Sequence, residues 1–330
     1  MSARVLLHMT APTREDFDIP YQELGPKDAP LKLALVAGLH GNELNGVFVL
    51  ARLANFLKQI AAGERPDTEL LGRVRILPAV NVLGLNTRSR LWPFDGTDLN
   101  RMFPGYDAGE TTQRIAHAVL AATEPAEWRV DLHSSNTDFE ELPQVRLYDP
   151  SEEERKVARW TGLPAVIERP VTPSVSATLS YAWKERGGRS LVIQAGQAGS
   201  LQQEHCERLF RSLIDLLEAL GLVVGLRLAE PENDVHFFGP RQIFPVIGEH
   251  AGWFVSRLEV GQWLQAGDLI GYVYDGFEGR LRAELRAPVA GLLAGIRRQP
   301  LLCEGDLVAR LLSREPFPAP ADTFIDAQGQ

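Results

Sequence analysis

Two cysteines in 330 residues leave this chain without a disulfide framework. Cys206 and Cys303 stand far apart and neither belongs to a Cys-x-x-Cys pair, so a stapled secreted domain is not expected. Long apolar runs are missing too. The run Val5-Leu6-Leu7-His8-Met9 behind Arg4 is too short for a signal-peptide core, and no segment approaches the length of a membrane span. A cytoplasmic protein with no membrane partner is therefore expected. Positive charge is in short supply: 34 Lys and Arg against 43 Asp and Glu give a net charge of −9. With no basic run to neutralise phosphates, a nucleic-acid partner is disfavoured. What remains is 45% hydrophobic and 23% charged, the composition of a globular protein long enough for one large domain or two ordinary ones.

Strand-like and helix-like segments alternate through the first two thirds. Residues 33–37 form an apolar run that ends in Gly-Leu-His-Gly and reads as a buried strand entering a loop. Val47, Leu50, Leu53, Phe56, Leu57 and Ile60 have helical spacing, which predicts a helix over 44–62 closed by Gly63. Further strands are expected at 74–80, 128–133, 145–148 and 190–193, and further helices at 111–122, 151–161, 179–186 and 203–219. This order implies an α/β fold with a mostly parallel sheet covered by helices, whose sites gather beyond the strands' carboxyl ends. His40, His133 and Gln194 fall at such ends.

After about residue 226 the helical period is lost and Gly turns separate short apolar runs. Ala251-Gly252 precedes Gly267-Asp268-Leu269 much as Ala290-Gly291 precedes Gly305-Asp306-Leu307, a weak internal repeat. Two such half-units predict a small all-β domain of the barrel-sandwich (hybrid-motif) type that lipoyl carriers use. Residues 251–313 contain no lysine, which excludes a swinging-arm carrier. The expected domains are 1–225, 226–315 and a loosely packed tail, 316–330.

Gly38-Leu39-His40-Gly41-Asn42-Glu43 is the strongest local signal. If the loop turns into a helix at Glu43, an imidazole and a carboxylate meet at one point, and zinc takes such N and O ligands. The other reading of Glu43 is a carboxylate favoured by the helix dipole. His133 offers a third ligand at the end of its strand. Asp131, two residues earlier on the same face, suits the support of a metal-bound histidine. Between these segments Arg90, Asn100 and Arg101 sit in a Gly- and Pro-rich stretch. Guanidinium groups there suit clamping a carboxylate or stabilising an oxyanion; a solvated surface loop is the plainer reading.

Gly38-x-His40-Gly41-Asn42-Glu43, Asp98-Leu99-Asn100-Arg101 and Asp131-Leu132-His133, in that order, resemble the succinylglutamate desuccinylase/aspartoacylase family of the zinc carboxypeptidase-like superfamily. Arg90-x-x-Pro-x-Asp-Gly and Phe-Pro-Gly are most similar to the bacterial branch of N-acetyl-diaminobutyrate deacetylase-like proteins. The resemblance covers roughly residues 30–220. It implies a carboxypeptidase-like sheet and one Zn²⁺ per chain held by His40, Glu43 and His133. It also implies that Arg90 polarises the scissile carbonyl and that Asn100 and Arg101 hold a substrate carboxylate. The implied activity is hydrolysis of an amide bond in an N-acyl amino acid or small peptide, including an Arg-containing or β-aspartyl one.

Position 194 departs from the family pattern, which places a general-base Glu in Glu-x-Gly where this chain has Gln194-Ala195-Gly196. Glutamine keeps the shape but cannot accept a proton. The expected accounts are a deliberate Glu→Gln replacement, a weakened or inactive relative, or service by another carboxylate. A non-catalytic zinc-bearing protein that captures an N-acyl amino acid or peptide is the rival reading. Asp138, Glu140 and Glu141 are expected as an acidic loop at the site mouth that meets a cationic substrate portion, the alternative being a solvated loop. The sequence leaves a homo-oligomer open.

Overall fold

A strand buried along nearly its whole length, as Leu31–Ala37 is, belongs in the middle of a sheet covered on both faces. The computed structural model describes residues 4–10, 13, 16–226 and 234–317. The chain clusters into two units that divide between His236 and Phe237. The first holds strands β1 (Arg4–Met9), β2 (Phe17–Leu24), β3 (Leu31–Ala37), β4 (Glu69–Leu70), β5 (Arg73–Leu77), β6 (Trp128–Ser135), β7 (Phe139–Tyr148), β8 (Ala165–Arg169), β9 (Arg189–Gln197) and β10 (Val223–Val224). Its helices are α1 (Leu44–Ala61), α2 (Val82–Thr87), α3 (Thr111–Thr123), α4 (Glu152–Trp160), α5 (Leu179–Glu185) and α6 (Gln203–Ala219).

Within this unit the main sheet runs β1-β2-β5-β3-β6-β9-β7-β8, while β4 and β10 pair separately. Its centre, β5-β3-β6-β9, is parallel; β7 lies antiparallel to β9, and the β1–β2 hairpin lies antiparallel on the far edge. Helix α1 buries Val49, Leu50, Leu53, Leu57 and Ile60, the stripe its spacing predicts. Gly46 lets its first turn settle on the sheet, since a Cβ there would lie 3.1 Å from Leu132 Cβ and 3.3 Å from Ala37 Cβ. Side chains alternate along a strand, so Val36 points to the other face, into a core with Leu77, Trp92, Ile115, Val119, Leu179 and Trp183. Each fully buried aliphatic side chain contributes about 1.5–3 kcal/mol.

Helix α6 spans the residues expected of it, and the other expected helices differ by a residue or two at their ends. The strand expected at 145–148 is the last part of a longer one: β7 begins at Phe139 and takes in Glu140 and Glu141. Buried carboxylates with internal partners gave this strand the look of a loop. Strands β1, β2 and β8 carry short apolar patterns that periodicity alone did not resolve.

In the C-terminal region, β11 (His236–Phe238) spans the division, followed by β12 (Ile243–Ile247), β13 (Gly252–Val255), β14 (Trp263–Leu264), β15 (Leu269–Tyr274), β16 (Leu281–Arg286), β17 (Gly291–Arg297), β18 (Leu301–Leu302) and β19 (Leu307–Leu312). Antiparallel pairing joins β16-β15-β13-β18 and β14-β17-β19-β12 around Phe254, Ile270, Val273, Leu293, Val308 and Leu311. The repeat seen in the sequence has a structural counterpart. Asp268 Oδ2 accepts from the Gln265 amide at 2.7 Å, and Asp306 Oδ2 accepts from the Cys303 amide at 2.8 Å, the same turn made twice. The division at His236 lies past the expected boundary at 225/226, and residues 227–233 fall outside the described residues. Part of the expected loose tail is packed: the Phe317 ring stands 4.8 Å from that of Phe244. Residues 318–330 lie outside the described residues. Among the described residues no helix is long and apolar enough to cross a membrane.

The two thiols differ in setting. Cys206 is fully buried on α6, its thiol donates to Asn45 Oδ1 at 3.5 Å, and burial pushes its pKa up to about 11. Cys303 is exposed. A thiol reagent at neutral pH should therefore modify one cysteine in the native protein and both after denaturation, with peptide mapping placing the fast label on Cys303. Rapid native labelling of Cys206 would contradict this packing.

Candidate metal centre and active site

The sheet brings the site together. β3 ends at Ala37, the chain turns through His40 and Gly41, and α1 starts after Glu43, which stands at its N-cap. Gly41 is required by close approach: a Cβ there would fall 2.1 Å from the carbonyl carbon of Gly84 in α2. His133 lies near the carboxyl end of β6, two strand positions after Asp131.

These residues converge. His40 Nδ1 lies 2.6 Å from Glu43 Oε1, His133 Nδ1 lies 2.9 Å from Glu43 Oε2, and the imidazole centroids are 5.2 Å apart. Ligand atoms of all three lie within 4.8 Å of one another, and all three residues are buried. The remaining ring nitrogens face carboxylates: His40 Nε2 is 2.9 Å from Asp98 Oδ1, and His133 Nε2 is 2.9 Å from Asp131 Oδ2. Donation of both Nε2–H groups to these aspartates turns both Nδ1 lone pairs toward Glu43. Lone pairs do not tolerate carboxylate oxygens at such distances unless a positive charge is shared among them.

Charge gives the same requirement. Glu43, Asp98 and Asp131 are three carboxylates, and among the described residues Arg90, 3.2 Å from Glu43 and 3.5 Å from Asp98, is the guanidinium that bonds to them. With neutral imidazoles the cluster carries two uncompensated negative charges. Two protons or one divalent cation balance it. The proton side of that choice is visible in the titration. Burial pushes the pKa of His40 down, but Glu43 and Asp98 outweigh it and the net shift is upward. His133 is raised well above its ordinary value, burial again being overcome by Asp131 and Glu43. Glu43 and Asp98 both end far below the usual carboxylate range, because the imidazoles overcome the upward push of burial. Two imidazole nitrogens and one carboxylate, each imidazole oriented by a further carboxylate, fit a divalent metal ion.

The family model of the succinylglutamate desuccinylase/aspartoacylase catalytic domain matches residues 29–220, more than half of the chain. The chain belongs to this family. It is 27% identical over 298 residues to the N-alpha-acetyl-L-2,4-diaminobutyric acid deacetylase of Halomonas elongata, across 88% of this chain and 84% of that protein. To the succinylglutamate desuccinylase of Pseudomonas aeruginosa it is 27% identical over 216 residues, across 59% of this chain and 60% of that one. Among solved structures, a succinylglutamate desuccinylase/aspartoacylase from Rhodobacter sphaeroides superposes with a TM-score of 0.75 at 22% identity, covering 94% of this chain and 95% of that one. The product-bound ectoine utilization protein EutE from Ruegeria pomeroyi gives 0.74 at 23% identity, covering 90% of each. At those identities the structural likeness speaks for the fold.

The other expected residues of this desuccinylase/aspartoacylase family member are placed as follows. Arg90 keeps its guanidinium against Glu43 and Asp98 while remaining partly open to solvent. Asn100 is buried, its Nδ2 3.4 Å from His133 Nε2, and its Oδ1 accepts from the Leu179 amide at 3.0 Å, so it sets the start of α5 beside the histidine. Arg101 is exposed and donates to the carbonyl of Asn100 at 2.9 Å. Gln194 is 8% exposed and sits in register beside His133 on the neighbouring strand. The acidic loop is corrected. Asp138 occupies the turn between β6 and β7, but Glu140 is buried 2.5 Å from His205 Nε2, and both Glu141 oxygens accept from Arg146 at 2.7 Å. Two of the three carboxylates are thus committed inside the fold. Sequence reasoning gave no role to Asp98, although its place in the Asp-Leu-Asn-Arg segment was a signal available to find it.

The cluster predicts a pH signature. Stripped of metal, it balances its charge by protonating both imidazoles. Because their folded pKa values are raised, that stabilisation is complete below the unfolded value of about 6.5 and is lost as pH rises through the folded values. A bound divalent ion replaces both protons. Thermal melts from about pH 6 to pH 9 should therefore show Tm falling with pH in chelator-treated protein and little change in metal-loaded protein. Equal slopes in the two forms would contradict the charge balance.

Proposed function

We propose that this chain is a zinc-dependent amidohydrolase that cleaves the amide bond of an N-acyl amino acid or small peptide. The observation that carries this reading is the convergence of His40, Glu43 and His133, each histidine backed by an aspartate. The mixed nitrogen and carboxylate donor set favours zinc over hard cations that prefer all-oxygen shells. Zinc, when bound, supplies Lewis acidity toward the scissile carbonyl and toward water.

The protein's own groups supply the rest. Arg90 is fixed by two carboxylates and still reaches solvent, so its guanidinium is preorganised to meet the charge that develops on the carbonyl oxygen. Asp131 holds His133 in the tautomer that presents Nδ1, and the Asn100 amide N–H groups beside that ring are available for a substrate carboxylate. Arg101, which donates through Nη1 to the Asn100 carbonyl, offers the other edge of its fork to the same carboxylate. Asp138 is the member of the acidic trio left to meet a cationic substrate group.

Gln194 sets the rate. It stands beside His133 where a proton acceptor is needed, and a carboxamide cannot take a proton from water or pass one to the leaving amine. Slow, metal-dependent hydrolysis is the expected behaviour. Gln194→Glu should raise kcat by about 10²–10⁴, assayed with Nα-acetyl-L-2,4-diaminobutyrate and N-succinyl-L-glutamate as first substrates. His133→Ala should abolish stoichiometric zinc, read by atomic absorption.

Gln194 also favours a second reading, a zinc-bearing protein that captures an N-acyl amino acid or peptide without cleaving it. The same experiment separates the two. Ligand binding with no turnover, even in Gln194→Glu, would leave the capture reading standing and remove the hydrolase.

A further inference from the structure

Gln144, on β7, is fully buried, and among the described residues neither its Oε1 nor its Nε2 has a hydrogen-bond partner. An unsatisfied buried carboxamide weakens a fold, and an apolar side chain of the same shape would serve folding better. Its position suggests why the fold keeps it. Gln144 is in register with Gln194, and Gln194 is in register with His133, so the three side chains form one row on one face of β7, β9 and β6. At about 4.8 Å per strand, Gln144 lies about 10 Å from His133, the span of a short acyl chain or one peptide unit.

The neighbours fix the charge of this flank. Arg146, two positions along and therefore on the same face, gives its Nη2 to both oxygens of Glu141, which neutralises its charge, while its Nε is unpartnered. Gln194 is neutral as well. The flank thus presents two carboxamides and a guanidinium N–H with no net charge. Arg146, Ser190 and Val192 also line a neighbouring cavity with Tyr148, Ser180 and the oppositely charged Glu154 and Lys184.

We propose that the Gln194–Gln144 row is a subsite for a neutral, amide-bearing portion of the substrate, with Gln144 as its specificity-determining residue. This deepens the deacylase reading above and rests on it. A primary carboxamide both donates and accepts, so two of them pair with a carboxamide or peptide group, which does the same. A carboxylate-ended acyl group finds no free cation in this row and would face the Gln144 carbonyl.

Gln144→Met tests this, because it keeps length and removes both polar atoms. Its Tm should rise by about 2–4 °C; a fall would mean that the amide is satisfied within the fold and would overturn the proposal. Binding is then measured by calorimetry on metal-loaded protein with N-succinamoyl-L-glutamate and N-succinyl-L-glutamate, which differ only in carboxamide against carboxylate at the acyl end. The native chain should prefer the carboxamide by about tenfold in Kd, and Gln144→Met should lose that preference. Equal affinities in the native chain, a preference that survives the substitution, or binding of neither compound each overturns it. Hydrolysis of Nα-acetyl-L-2,4-diaminobutyrate separates the two levels. If Gln194→Glu cleaves it while no amide preference is found, the subsite alone fails; if nothing is cleaved, the deacylase reading fails first.

Discussion

The carboxylate of Glu43 organises the first unit. It receives an imidazole on each oxygen, the Arg90 guanidinium on Oε1 and the Ser134 amide on Oε2 at 3.0 Å, all in a buried setting. A buried carboxylate is costly unless it is paired and hydrogen-bonded, so these partners are conditions for its presence. The close seating of the His-Gly-Asn-Glu loop on α2, and of the first turn of α1 on β3 and β6, follows from the need to deliver that carboxylate between two histidines from distant segments. The N-terminus of α1 adds its positive dipole to the same point.

The cluster also explains why position 194 matters beyond proton transfer. Glu43, Asp98 and Asp131 already exceed Arg90 by two negative charges, which one divalent cation neutralises. A glutamate at 194 would add another negative charge beside His133, and its pKa would rise in consequence, the condition a general base near neutral pH requires. Glutamine removes both the charge and that poise while keeping the shape. Seen with Gln144 and the internally neutral Arg146–Glu141 pair, the flank along β9 and β7 has no net charge. The two sides of the site are therefore built on opposite principles. Paired charges around Glu43 fit a cation, and the proposed row of neutral amides across β9 and β7 offers hydrogen bonds without a field.

The residue types and their order determined a good part of this protein. Glycine-flanked His40 with Glu43 three residues later, Asp131 two before His133, and apolar stripes of helical period are chemical and periodic signals that need no coordinates. They were enough for the α/β class, the His-Glu-His group that fits a metal, and the family. The repeat around Asp268 and Asp306 was legible for the same reason, since a turn closed by an aspartate is a local device.

Only the tertiary structure decided which polar residues are spent on the fold and which are left for chemistry. Glu140 and Glu141 look like surface carboxylates in sequence, yet His205 on α6 and Arg146 farther along β7 take them up, partners that packing and strand geometry bring near. Asp98 gains its role from meeting His40 across 58 residues. Gln144 carries no local signal at all, because a glutamine within a strand is unremarkable until register sets it beside Gln194 and burial strips it of water. The physical reason is common to these cases. A side chain's type fixes which bonds it can make, but long-range pairing fixes which of them are left unmade.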